Sequence, residues 1–137
     1  MGSDVLIDSN VYIDLLKMRK DPVATLYEWG EARDRNLAIC GMIRVEVLRG
    51  LKLLKVYHSI SAIMDVMINL PSDNRMWTDA TELAWSLDRK GIIIPGADAV
   101  IAASALRHGA AVMTSDAHFS KIEGLRVIPL PDEWFGR

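Results

Sequence analysis

Two short apolar runs, VLI at 5–7 and LAICG at 37–41, are continuous rather than alternating, and each leads into a segment with helical spacing. A continuous apolar run marks a strand covered on both faces. Strands joined through helices return to the sheet in the same direction, so they pair in parallel. AAVMTSD at 110–116 and LRVIPL at 125–130 supply two more strands of this kind. The pattern predicts an α/β chain folded as a three-layer α/β/α sandwich with a central parallel sheet. At 137 residues it is expected to form a single domain, residues 1–137.

The helical segments punctuate themselves. One should start near Asn10. Asp21 and Pro22 read as an N-cap and first helical position, opening a helix that carries Leu26 and Trp29 and ends before Asn36. Ile43, Val47, Leu51 and Leu54 keep helical spacing, with Gly50 interrupting, and a further helix is expected from about His58 to Asn69. After the Pro71–Asp73 loop, Trp77, Ala80, Leu83, Ala84 and Leu87 mark an amphipathic helix that Gly91 terminates. IIIPGAD is a short apolar stretch stopped by a turn. Asp98 then opens an alanine-rich helix, and Gly109 fits its C-terminal cap.

Charge and composition exclude several classes. A net charge of −2 gives no overall steer toward nucleic acid or membrane. No apolar run approaches a membrane span, and no basic region leads into a signal-type core, so a cytoplasmic protein with no membrane partner is expected. Cys40, the only cysteine, reads as a small core hydrophobe. His58, His108 and His118 lack metal-site spacing; for His118, two residues after Asp116, a turn or packing role is expected over a place at the pocket rim. Asp14 is expected at the surface, and Met1 to Ser3 carry no argument.

Four acids sit where chemistry is expected in an open parallel sheet, beyond the carboxyl ends of the strands. Asp8 follows VLI and Asp116 follows AVMTS. Asp98 starts a helix after IIIPGA, and Glu46 lies in the first turn or so of the helix after LAICG. Singly, each has a local explanation as a cap, an Asx turn or a solvated helix residue. Together they exceed what capping requires. At about 5 Å and an effective dielectric near 20, each like-charge pair costs roughly 3 kcal/mol, so either some protonate or a cation binds. All-oxygen ligation selects a hard ion, Mg²⁺ or Mn²⁺, and such a site suits phosphodiester hydrolysis.

The segments DSNVYID, IRVEVLRG, IPGADAVIAASAL and VMTSDAHFSKIEGLRVIPL, in this order, resemble the PIN domain family, and within it the VapC-type ribonuclease toxins of toxin-antitoxin pairs. The resemblance implies an endoribonuclease that uses Mg²⁺ or Mn²⁺, with RNA as substrate, a small antitoxin as partner and a homodimeric state. It assigns Asp8 and Asp98 as main metal ligands, Glu46 as the third member and Asp116 as the fourth. Ser9, Asn10, Thr114 and Ser115 match small polar positions that hold these carboxylates. Many relatives place Ser or Thr shortly before the glutamate, where this chain has Ile43, Arg44 and Val45. Arg44 either contacts Glu46 or an RNA phosphate or faces solvent, and Arg49 is a second basic candidate for RNA.

Two other readings stand beside the nuclease. A PIN-like domain that only binds RNA or a protein would keep the fold without the chemistry. A phospho-receiver also gathers acids around Mg²⁺, but it wants an acid pair after the first strand and a lysine near the last, whereas this chain has a single Asp after VLI and Lys121 beyond a Phe-containing turn.

Overall fold

The computed structural model describes residues 3–137; Met1 and Gly2 lie outside the described residues. Five strands, β1 (Asp4–Ile7), β2 (Asn36–Cys40), β3 (Ile68–Leu70), β4 (Ala111–Met113) and β5 (Val127–Ile128), form one sheet in the order β3-β2-β1-β4-β5, all parallel. The α/β/α sandwich with a central parallel sheet is therefore what the continuous apolar runs build. β1 is the middle strand, paired to β2 through Val5↔Leu37 and to β4 through Leu6↔Val112. Val5, Leu6, Ile7, Val112 and Met113 are wholly buried. Burying one such aliphatic side chain stabilises the fold by about 1.5–3 kcal/mol, so this strand pair anchors the core.

Six α-helices connect the strands: α1 (Ser9–Lys17), α2 (Pro22–Ala32), α3 (Gly41–Arg49), α4 (Leu54–Val66), α5 (Asn74–Arg89) and α6 (Gly96–His108). Asp21 caps α2 as expected, its carboxylate accepting from the backbone N–H of Val23 and Ala24. Gly109 ends α6 at φ 66°, a left-handed conformation that costs a glycine little. Ala99, Ala102, Ala103 and Ala105 are buried, and their small side chains let α6 pack closely on α5 and β4.

The structure corrects several sequence expectations. The helix expected over 58–69 starts four residues earlier, at Leu54, and stops at Val66, because Ile68–Leu70 extends to pair with β2 as the edge strand. Three edge residues, of which Ile68 and Asn69 are exposed and only Leu70 is buried, carry too weak an apolar pattern to read as a strand. The stretch 92–95 forms no strand, so Asp98 stands after a loop, and α6 begins two residues before it, with Pro95 at the N-cap position and no side-chain cap hydrogen bond. Glu46 is the sixth residue of α3, in its second turn. Among the methionines and tryptophans, Met64, Met67, Met76, Trp29 and Trp134 are core, whereas Trp77 and Trp85 are exposed on α5.

Candidate metal centre

The order β3-β2-β1-β4-β5 reverses direction at β1: successive strands are added on one side up to β3, and the chain then crosses to β4 on the other. A crevice opens beyond the carboxyl ends of the two strands at such a switch point. Asp8 ends β1 and Thr114 ends β4, so both fall there. A separate groove lined by Tyr27, Gly30, Leu37 and Ile68 lies at the start of β2 and β3, the opposite end of the sheet.

Asp8 is 3% exposed. It caps α1, with Oδ1 accepting from the Ser9 N–H at 2.8 Å, while Oδ2 accepts from the Thr114 hydroxyl at 2.8 Å and the Asn10 side-chain amide at 3.1 Å. Asn10 Nδ2 also donates to Thr114 Oγ1 at 3.0 Å, and its Oδ1 accepts from the Ser115 N–H at 3.2 Å. Thr114 Oγ1 accepts in turn from the Asp116 N–H at 3.0 Å. This lattice joins the two central strand ends across more than 100 residues of sequence. Asn10 and Thr114 enter it through their side chains, Ser9 and Ser115 through their backbone N–H groups. Half-buried Asp14 joins only at the margin, with Ser115 Oγ 3.5 Å from its carboxylate.

Asp98, in the first turn of α6, has a side chain 14% exposed. Its Oδ2 is 2.9 Å from His118 Nδ1, and the same ring nitrogen is 3.0 Å from Asp116 Oδ1. Asp116 caps a short 3-10 turn, Ala117–Lys121, by accepting from the His118 N–H at 2.9 Å. One donor atom each from Asp98, Asp116 and His118 lie within 4.8 Å of one another. His118 lies in this turn, as one of its expected roles had it, and its ring also joins two of the acids. Its spacing to Asp116 was the available signal, but its link to Asp98 arises only when α6 docks beside the turn.

Electrostatics tie the acids into one group. Burial pushes the Asp8 carboxyl above its ordinary range; the Thr114 and Ser9 hydrogen bonds pull it back, and the charges of Asp98 and Asp116 raise it further. Burial likewise raises Asp98, opposed by its His118 hydrogen bond and reinforced by Asp116. Glu46 is raised by burial first, against a Ser9 hydrogen bond, with Asp8 and Asp98 adding to the rise. Its Oε1 is buried without a hydrogen-bond partner. The thiol of buried Cys40, also raised by burial, packs as the core residue expected.

The basic candidates separate. Arg44 contacts neither Glu46 nor solvent alone: its guanidinium pairs with Asp65 and donates to Ser61 at 3.2 Å, joining α3 to α4. Arg49 is exposed at the end of α3.

Comparison with known proteins agrees with the resemblance. The family model described as "PIN domain" matches residues 5–125. VapBC2 of Rickettsia felis bound to a promoter DNA fragment superposes with a TM-score of 0.75 at 20% identity, covering 93% of this chain and 99% of that one. DNA-bound VapBC of Salmonella typhimurium gives 0.75 at 21%, covering 92% and 97%. A toxin-antitoxin complex of Klebsiella pneumoniae gives 0.62 at 25%, covering 90% and 95%. No curated protein matches the chain. A receiver-like doubly wound sheet has the strand order 2-1-3-4-5, which this sheet does not share.

Proposed function

The chain belongs to the PIN domain family, and from that membership and its cluster of acids we propose that it is a Mg²⁺- or Mn²⁺-dependent endoribonuclease, the VapC-type toxin of a toxin-antitoxin pair. The observation that carries the reading is the gathering of Asp8, Asp98 and Glu46 at the switch point, each carboxyl raised first by burial, with Glu46 Oε1 buried and unpartnered. Oxygen donors that repel one another suit a small hard dication, which offsets their charge and meets the orphaned oxygen. Asp8 and Asp98 would hold the ion, with Glu46 as third ligand or orienting a coordinated water, and Asp116 as fourth. When bound, such an ion lowers the pKa of a coordinated water and neutralises charge on a scissile phosphate.

The protein's own part is positioning. Thr114, Asn10 and the Ser9 N–H fix the Asp8 carboxylate so that little rearrangement is needed on loading. Exposed Arg49 is available to an RNA phosphate, whereas Arg44 is committed to Asp65. The exposed apolar side chains of Leu53 and Leu54 beside α4, and of Trp77 and Trp85 on α5, offer surface for an antitoxin segment and for a second copy of the chain. The toxin-antitoxin complexes among the structural neighbours support that partnership.

The test is cleavage of structured RNAs with and without Mn²⁺. The wild type should cut only with metal, and Asp8→Asn and Asp98→Asn should each lose at least about a hundredfold in rate. Equal cleavage by all three proteins would sink the assignment.

A further inference from the structure

We propose that His118 supplies a nitrogen ligand on the Asp98–Asp116 side of the pocket, so that this half selects Mn²⁺ over Mg²⁺; the inference rests on the metal-dependent reading above. The geometry carries it. His118 Nδ1 stands 2.9 Å from Asp98 Oδ2 and 3.0 Å from Asp116 Oδ1. Adjacent ligands of an octahedral ion at about 2.1 Å are separated by roughly 3.0 Å. His118 Nδ1 thus stands from each carboxylate oxygen at the spacing of neighbouring corners of one coordination sphere, and the three side chains each offer a donor atom within 4.8 Å of the others. A hydrogen-bond clasp accounts for the contacts less fully, because a neutral imidazole has a single proton at Nδ1 and two carboxylate oxygens face it. The ring is 38% exposed, so Nε2 can carry its proton toward water while Nδ1 ligates. The Asp116 carboxylate also accepts the His118 backbone N–H, which holds the ring and carboxylate on one short turn.

The consequence is selectivity. Imidazole nitrogen favours first-row transition ions, whereas Mg²⁺ is held by oxygens and keeps its waters. Asp8 and Glu46 leave an oxygen-only half on the other side of Asp98, so Mg²⁺ binding should survive the loss of the imidazole.

Titration calorimetry of the whole chain, freed of metal and RNA, with MnCl₂ and with MgCl₂ tests this against His118→Asn. Asparagine keeps an N–H donor near the Nδ1 position but is a far poorer ligand. The Mn²⁺/Mg²⁺ affinity ratio should fall about tenfold in the variant, with Mg²⁺ affinity changed by less than about threefold. Electron spin echo modulation of Mn²⁺ on the wild type should show coupling to a directly bound nitrogen, a readout that stands even if the variant fails to fold. An unchanged ratio, or Mn²⁺ bound without nitrogen coupling, would overturn the role of His118 and leave the nuclease reading intact. Failure of the wild type to bind either ion would overturn both.

Discussion

The two halves of the acidic pocket are built differently. On the sheet side, Asp8 has both carboxylate oxygens engaged, by a backbone N–H, a hydroxyl and an amide, all from residues locked to the ends of β1 and β4. On the helix side, the Asp98 carboxylate meets His118 Nδ1 at 2.9 Å, and Glu46 keeps a buried, unpartnered oxygen. The sheet side is complete as it folds, whereas the helix side gathers negative charge whose compensation must come from elsewhere. A pocket of this kind holds one carboxylate in fixed register and leaves the others responsive to what binds.

Breaking the sheet side should cost the most stability. Thr114→Val removes the hydroxyl that donates to Asp8 and accepts from Asn10 and the Asp116 N–H, leaving buried polar groups unpaired. A loss of about 2 kcal/mol is expected in urea unfolding, both in chelator and with Mn²⁺ present. A change below about 0.5 kcal/mol would mean the lattice is dispensable.

The helix side should respond in the opposite direction. Without metal, Asp98→Asn removes a charge that burial and Asp116 disfavour, and should stabilise by about 1 kcal/mol, a rise of roughly 3–4 °C in Tm. Mn²⁺ should then stabilise the wild type more than the variant, reversing their order in thermal melts. Identical melts for both proteins in both conditions would show that the acids share no site.

A smaller effect distinguishes charge from packing. Asp8, Asp98 and Glu46 have folded-state pKa values above their unfolded ones. The folded state therefore holds protons the unfolded state has released, and stability falls as pH rises through that window. In chelator, the Tm advantage of Asp98→Asn should be largest at neutral pH and shrink as pH falls and the wild-type carboxyls protonate. An advantage independent of pH would assign it to packing instead.

Much of this was readable along the chain. Asp21 before Pro22, Gly109 after the alanine-rich helix and the continuous apolar strands β1, β2 and β4 act within a few residues, through backbone conformation and burial, and a sequence displays them. The acids Asp8, Asp98 and Asp116 stand out because each adjoins a strand end or helix start, whereas Asn10 and Thr114 are marked by the family resemblance. β3 could not, since its three residues extend only in response to pairing with β2. Nor could the fate of Arg44, which Asp65 on the neighbouring helix takes up.

The sequence by itself determined the layers, the parallel sheet and the order of the acids, because periodicity, caps and turns are local. Only the tertiary structure decided that β1 and β4 lie side by side, that one hydroxyl from Thr114 serves Asp8, and that His118 stands between Asp98 and Asp116. The Thr114–Asp8 contact joins residues 106 positions apart, and the His118–Asp98 contact residues 20 apart. Their partners are chosen by how helices and strands dock, which depends on the whole core at once rather than on any short stretch of chain.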